Sequence, residues 1–246
     1  MRLLSFSFFK NCKYKRICHG VTRMLHLQPE VVFPKTTGDP KLINIAPTWT
    51  KDVEPGLRAS MEHDMKVIPD FITEEEENAM LTELEPKLKR MRYEFDHWDN
   101  AIHGFRETER TQWSELSEIV LSRMRAVAFN PGTGAGEPMP YAHVLDLAGA
   151  GHIKPHVDAV RFCGNVIAGL CLVSSAVMRL EHIENKELVL DALLARRALY
   201  VMRGAARYSF KHAVLGGELS AFRGAAVPRR RRVAVILRSK PAPPTD

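Results

Sequence analysis

A histidine and an aspartate stand one residue apart at His156 and Asp158, in the stretch GHIKPHVDAV. Residues i and i+2 of a β-strand point to the same side, so both side chains can approach one metal ion. Two histidines and one carboxylate on one face of a ferrous ion leave three positions open for co-substrate and oxygen. A third ligand must then come from a distant strand. Without one, two polar residues on a solvated strand face explain the pair equally well.

The same spacing occurs at His97 and Asp99, and a looser version occurs at His182 and Glu184. The first pair has charged neighbours, and no apolar strand ending in arginine follows it at a comparable distance. The second pair lies in a predicted hairpin turn, where solvated polar residues are expected. We therefore predict no metal at either. His156 and Asp158 differ because the stretch RYSFKHAVL offers His212 at the end of a later strand.

Two arginines bracket the apolar stretch RRVAVILRS. Arg232 and Arg238 have the same parity as Ala234 and Ile236, so in a strand all four point to one face, the face that a barrel would bury. A buried arginine needs an anionic partner, and its planar guanidinium suits a carboxylate. A dicarboxylic co-substrate would provide that partner.

The remaining sequence supplies the elements that must position these residues. Thr73 and Glu76 form a capping-box pattern that predicts a helix, and a second amphipathic helix is predicted at about residues 114–129. From Tyr141 onward roughly eight short strands follow with short turns, which favours a sandwich or jelly roll. The predicted fold class is therefore α+β, with helices covering one face of the sheet. Between the helices, Phe95, Trp98 and Phe105 are predicted to lie in the core.

The net charge of +6 comes from one end of the chain. Residues 1–29 carry six basic residues and no acidic one, whereas residues 30–246 carry 29 of each sign. A neutral folded part does not argue for a polyanionic partner. The basic, Ser- and Phe-containing leader is typical of a mitochondrial transit peptide. A disordered basic tail, or translation that begins at Met24, are the alternatives.

These patterns predict four segments. Residues 1–29 are the transit-peptide candidate, 30–66 an extended proline-containing linker, 67–240 the folded domain and 241–246 a disordered tail. No apolar run reaches about 18 residues, so no membrane insertion is expected.

Several stretches together resemble the AlkB-type Fe(II)- and 2-oxoglutarate-dependent dioxygenases, in particular the mitochondrial branch of that family. They are IKPHVDAVRFCGNVIAGLCLVSS, VMRLEH, LYVMRGAARYSFKHAVL and PRRRRVAVILRS, with weaker similarity at VIPDFITEEEE and HWDNAIHGFRETER. The resemblance implies a double-stranded β-helix, with His156, Asp158 and His212 as iron ligands. It further implies that Tyr200, Arg232 and Arg238 bind the co-substrate 2-oxoglutarate.

The departures from the family bear on the substrate. Nucleic-acid demethylases of the family bind 2-oxoglutarate with an Asn-x-Tyr pair, and here those positions read Leu145 and Leu147. The segment corresponding to their nucleotide-gripping lid is also short. The resemblance thus implies a mitochondrial matrix enzyme that acts on a protein or small molecule, with links to mitochondrial metabolism, including fatty acid metabolism, and to programmed necrosis. Demethylation of mitochondrial RNA, and an iron- and 2-oxoglutarate-binding module with little turnover, remain alternatives.

Overall fold

The computed structural model describes residues 36–95, 100–130, 132 and 134–242. This part of the chain forms four α-helices, α1 to α4, which are Pro55–Asp64, Glu74–Leu88, Glu115–Ala128 and Gly204–Tyr208. Its twelve strands, β1 to β12, are Ile43–Ile45, Met65–Ile68, Ile102–Arg110, Ala142–His156, Ile167–Leu172, Ala176–His182, Val189–Leu194, Leu199–Met202, Phe210–Val214, Ala221–Phe222, Ala225–Ala226 and Arg232–Arg238. Among the described helices, none is long and apolar enough to cross a membrane.

Ten of the described strands form one curled antiparallel sheet. Its order is β1-β7-β6-β9-β4-β12-β5-β8-β2, and β3 pairs with β4 outside this path. The long strand β4 pairs with β3 along most of its length, with β12 along its first half and with β9 near its end. The architecture is a double-stranded β-helix, or jelly roll, and it confirms the predicted fold class.

The two faces of this sheet carry separate cores because successive side chains of a strand point to opposite sides. On β12, Ala234 and Ile236 belong to the inner core, whereas Val233, Val235 and Leu237 belong to an outer core under α2 and α3. The predicted inward parity of β12 is therefore confirmed.

Helix α2 is fixed at its start and along its buried side. The Thr73 side chain accepts a hydrogen bond from the Glu76 backbone, and Glu76 bonds back to the Thr73 N–H, which confirms the predicted capping box. One turn on, Glu77 is fully buried and accepts bonds from Val173 N at 2.7 Å and Arg196 Nε at 2.8 Å. These bonds attach α2 to two turns of the sheet. The second predicted helix is also confirmed, with Ser114 as its N-cap.

The segment before residue 67 is more structured than the extended linker we expected. It contains α1, and β1 pairs with β7 at the edge of the sheet. Trp49 is only 1% exposed and packs in the inner core, where its ring stacks on Phe210 at 5.8 Å. This part of the segment thus contributes to the jelly roll.

The predicted burial of the aromatic residues was right in one case and wrong in another. Phe105 is buried at 1% exposure, but Phe95 is 58% exposed, because Phe95 lies just beyond the Glu94–Phe105 bridge. Trp98 lies in residues 96–99, outside the described residues, as do His97 and Asp99. The transit-peptide candidate and the last four residues are outside them as well.

Candidate metal centre

Three predicted metal ligands meet where β4 and β9 pair. His156 is the direct cross-strand partner of His212, and Asp158 follows two residues after His156. His156 Nε2 lies 3.2 Å from Asp158 Oδ1, and His212 Nε2 lies 3.6 Å from the same oxygen. Within the described ranges, this is the one group of three potential ligand side chains whose donor atoms all lie within 4.8 Å of one another. The structure brings together residues 56 positions apart.

The protonation states of this group suit a metal ion. Burial, together with the nearby His156, lowers the pKa of His212 to about 3, so the imidazole is neutral at physiological pH. Burial alone would raise the pKa of Asp158, but the hydrogen bond from His156 and the charge of Arg238 outweigh it and hold that pKa well below its usual range. Neutral imidazoles and an ionised carboxylate are the forms that bind metals.

The remaining nitrogens of the two histidines differ. His156 Nδ1 lies 2.9 Å from the Lys154 carbonyl oxygen, which orients the ring so that Nε2 faces Asp158. His212 Nδ1 is buried and has no hydrogen-bond partner among the described residues. Two imidazoles and one carboxylate are a donor set that fits Fe(II).

Arg232 is a buried cation on the inner face of the barrel. Its side chain is 2% exposed, and its NH2 group lies 3.4 Å from Cys171 Sγ. Its Nε has no partner within the part of the chain that the structure describes. Burial raises the pKa of the Cys171 thiol, so the neutral thiol does not balance the guanidinium charge. A buried charge without a counter-ion is strongly unfavourable, and a bound carboxylate would relieve it.

Tyr200 lies on β8, which β5 separates from β12, and it is opposite Gly169 of β5. A Cβ atom at position 169 would lie 2.2 Å from Tyr200 Cε1 and 2.5 Å from the phenolic oxygen, so only glycine leaves room for this ring. Burial raises the pKa of Tyr200 to about 12, and this effect outweighs the opposing charges of Arg232 and Arg238. The hydroxyl therefore keeps its proton and is available as a hydrogen-bond donor.

Arg238 connects the metal ligands to two residues that we did not predict. Its Nε donates to Asp158 Oδ2 at 3.1 Å, and its NH1 lies 2.8 Å from His143 Nδ1. His143 Nε2 in turn lies 2.8 Å from Glu107 Oε2. His143 could have been found from the sequence, because it alternates in step with Leu145 and Leu147 along the strand. We already expected those two positions to face the co-substrate.

A cavity of about 910 Å³ opens beside these residues. His156, Asp158 and Arg238 are among its lining residues, together with residues of β3, of the start of β4 and of the loop at residues 157–163. A substrate that enters this cavity therefore reaches the predicted metal ligands.

His182 and Glu184 lie at the β6–β7 turn, where a hairpin turn was predicted. His182 Nδ1 accepts hydrogen bonds from the backbone N–H groups of Glu184 and Asn185, at 3.3 and 3.1 Å. These two bonds stabilise the turn.

Similarity to known proteins identifies the family of this chain. No family model matches the chain. It is 48% identical over 193 residues to the alpha-ketoglutarate-dependent dioxygenase alkB homolog 7, mitochondrial, of Mus musculus, covering 78% of this chain and 86% of the relative. The protein of the same description in Bos taurus is 47% identical over the same length and the same shares of both chains.

Solved structures agree in fold. A prolyl-4-hydroxylase of Pseudomonas putida superimposes with a TM-score of 0.56 at 14% identity, covering 76% of this chain and 97% of that one. Alpha-ketoglutarate is another name for 2-oxoglutarate, the co-substrate that the resemblance implied. The identity to the mouse and cattle proteins, over most of both chains, shows that this chain belongs to the AlkB family of Fe(II)- and 2-oxoglutarate-dependent dioxygenases.

Proposed function

We propose that the chain is a mitochondrial matrix dioxygenase in which His156, Asp158 and His212 hold iron, and that it oxidises a protein or small-molecule substrate. Tyr200, Arg232 and Arg238 bind 2-oxoglutarate in this proposal. The observation that carries it is the buried Arg232 on the inner face of the barrel that holds the three ligands, with no acid as its hydrogen-bond partner in the described structure.

Iron, 2-oxoglutarate and oxygen together supply the oxidation, in which one oxygen atom enters succinate, carbon dioxide leaves, and the other oxygen atom enters a C–H bond of the substrate. The protein supplies the binding and the charge. Arg232 neutralises the far carboxylate of 2-oxoglutarate, and the protonated Tyr200 donates a hydrogen bond to it. Arg238 holds Asp158 in place through the 3.1 Å bond.

The interior of the barrel supports this division of roles. Leu145 and Leu147 are 3% and 0% exposed, and Leu147 is the cross-strand partner of Arg232. Nucleic-acid demethylases of the family place polar co-substrate ligands at these positions. Since both leucines belong to the apolar inner core, the polar contacts with 2-oxoglutarate fall to Tyr200 and Arg232.

The basic run at residues 229–232 is committed within the fold, which weakens the RNA alternative. Arg229 NH2 donates to the Gly151 carbonyl at 3.0 Å, and burial lowers the pKa of Arg229 to about 10. Arg231 is paired with acids, and Arg232 lies inside the barrel. Of the four arginines at residues 229–232, only Arg230 is exposed. One exposed arginine gives little phosphate affinity.

The matrix location and the links to metabolism, including fatty acid metabolism, and to programmed necrosis belong to this proposal. They rest on the resemblance to the mitochondrial branch and on the basic leader, and the descriptions of the mouse and cattle relatives include the word mitochondrial.

The test uses the full chain, purified without oxygen and then given Fe(II), 2-oxoglutarate, oxygen and either mitochondrial protein extract or mitochondrial RNA. Succinate is measured, with His156→Ala as the loss-of-metal variant and His63→Ala, an exposed histidine away from the site, as its matched control. We expect protein extract or its small-molecule fraction to stimulate succinate in the wild type and in His63→Ala only. Stimulation by RNA alone would favour the demethylase, and tight 2-oxoglutarate binding without succinate from any pool would favour the binding module.

A further inference from the structure

The wall of the active-site cavity carries two carboxylates that the iron and the co-substrate do not use. In the antiparallel pairing of β3 with β4, Glu107 lies opposite Leu145 and Glu109 lies opposite His143. Directly opposed side chains share one face of a sheet, and Leu145 faces the inner core. Both glutamates therefore point to the side of the metal ligands, and both line the cavity.

The hydrogen bonds of His143 show how the Glu107 carboxylate is positioned. Arginine only donates, so His143 Nδ1 must be the acceptor of the 2.8 Å bond from Arg238 NH1. The ring proton is then on Nε2 and is donated to Glu107 Oε2 at 2.8 Å. A neutral imidazole thus separates Arg238 from Glu107, while Arg238 itself pairs with Asp158. This arrangement positions the Glu107 carboxylate in the wall of the cavity.

A neutral phenol lies near Glu109. Burial, together with the charge of Glu109, raises the pKa of Tyr141, so the phenol keeps its proton. Glu109 is exposed at the rim of the cavity and the Glu107 side chain retains 34% exposure. Both carboxylates are accessible from the cavity.

The loop after Asp158 adds an aromatic and a cationic side chain to the lining of the cavity. Phe162 is 55% exposed, and the Arg161 guanidinium stacks on its ring at 4.6 Å. A ligand with an aliphatic stem and a cationic end can pack its stem on Phe162 while its charged end meets the carboxylates.

We propose that the substrate of this site carries a cationic aliphatic group, the amino or guanidino end of a lysine- or arginine-type side chain, and that Glu107 and Glu109 select it. The inference rests on the proposed function and names its substrate class. It also disfavours a phosphate-bearing partner, since two carboxylates at the entrance repel phosphates. Glu107 is two side chains away from the metal ligand Asp158, so the group that it binds lies close to the reacting centre.

Binding to degenerate peptide pools tests the selection apart from turnover. The full chain is loaded with Mn(II) and 2-oxoglutarate, and dye-labelled pools are compared that differ at one fixed position. Lysine is matched with norleucine, and arginine with the neutral citrulline. We expect the cationic pools to bind about tenfold more tightly than their neutral matches, the effect of a hydrogen bond to a charged group, and the preference to shrink as salt is added.

Variants then assign the preference to the two glutamates. Glu107→Gln should bring the ratio of cationic to neutral affinity close to one, Glu109→Gln should reduce it in part, and Glu218→Gln, an exposed residue outside the cavity, should leave it unchanged. If Glu107→Gln does not fold, the matched pools on the wild type still decide. A labelled RNA pool and Nα-acetyl-lysine amide are run alongside, and equal binding by a free amine would identify a small-molecule source of the same cationic group.

Equal affinity for charged and neutral pools, or tighter binding of RNA than of the lysine pool, would overturn the inference. Succinate formation with Fe(II) and protein extract is measured on the same preparation. Succinate without charge selection would refute the inference and keep the oxygenase, whereas charge selection without succinate from any pool would refute the oxygenase and keep the cationic site.

Discussion

Arg231 and Arg232 are neighbours in the chain, yet their guanidinium groups lie in opposite surroundings. Arg231 donates to Asp146 with Nε and NH2, at 3.0 and 2.8 Å, and to Glu85 with NH1 at 2.5 Å. Asp146 is fully buried and also accepts from Arg106 Nε at 2.7 Å. Arg232 has a thiol as its one hydrogen-bond partner in the described structure. The protein itself supplies the carboxylate partners of Arg231, whereas a ligand would supply the carboxylate partner of Arg232.

The contrast extends to the pKa values around each residue. The hydrogen bonds that Arg231 donates to Asp146 raise the pKa of Arg231, as expected for an arginine in an ion-pair network. On the inner face, His212 has its pKa lowered and its Nδ1 atom without a partner among the described residues. For these two neighbouring arginines, the one with carboxylate partners is structural and the one without them lies on the inner face with His212.

Removal of the unsatisfied arginine should have the largest effect. We expect Arg232→Met to lower 2-oxoglutarate affinity about 100-fold, since a desolvated charge pair is lost, without lowering the stability of the ligand-free protein, because an unpaired buried charge is replaced by an apolar side chain. Calorimetric titration with Mn(II) present and urea unfolding measure the two effects. Unchanged 2-oxoglutarate affinity together with lower stability of the ligand-free protein would show that Arg232 has a structural role. Arg231 and Arg232 would then not differ in function.

Removal of the satisfied neighbour should do the reverse. Arg231→Met leaves the buried Asp146 with one arginine fewer, so we expect the free energy of unfolding to fall by about 3 kcal/mol. The affinity for 2-oxoglutarate should stay within about twofold, a change too small to reflect loss of a charged contact. The same urea and titration measurements apply, and a large loss of 2-oxoglutarate affinity in Arg231→Met would contradict the division.

The pH dependence of stability tests whether His212, on the inner face, is held in its neutral form. His212 has a folded-state pKa of about 3 against an ordinary value of 6.5, so between these values the unfolded state binds more protons. Stability should therefore fall as the pH decreases from 6.5 toward 3, by about 1.4 kcal/mol per pH unit and roughly 5 kcal/mol over the whole interval. Urea unfolding at pH 7.0 and 4.5 should show a smaller loss in His212→Gln than in the wild type. An identical pH dependence in both proteins would mean that His212 is not held neutral by its surroundings.

The smallest effect concerns a helix cap remote from both arginines. Thr73→Ala removes one half of the capping box, so we expect the free energy of unfolding to fall by about 1 kcal/mol. Binding of 2-oxoglutarate should not change, and Thr73→Ser should restore the stability. Thermal unfolding with and without Mn(II) and 2-oxoglutarate tests whether the ligand-induced stabilisation is the same in all three proteins.

The sequence was most informative where a residue type, at a given position in the alternation of a strand, can play few roles. His156 and Asp158, and the inward pair Arg232 and Arg238, could be predicted because alternation in a strand assigns each side chain to a face. Thr73 and Glu76 predicted the start of α2 for the same kind of reason, since a capping box has one geometry.

Strand β3 could not be predicted because neither of its faces is consistently apolar. Glu107 and Glu109 point into the cavity, and Arg106 points outward to the buried Asp146, so charged residues lie on both faces of the strand. We had identified strands by the alternation of apolar and polar residues, and β3 does not show it. The charges of this stretch have partners that only the folded sheet provides. The exposure of Phe95 was missed because composition does not show where a strand ends.

The position of β12 has a consequence for how the chain acquires its structure. This strand, the last of the described ones in chain order, pairs with β4 on one side and with β5 on the other, so it lies inside the sheet. Until residues 232–238 are available, β4 and β5 each present an unpaired edge next to an incomplete core, and such edges favour aggregation. During synthesis or passage through a membrane, the barrel can close only when this late segment inserts. Arg232 therefore enters the protein in the same step that completes the fold.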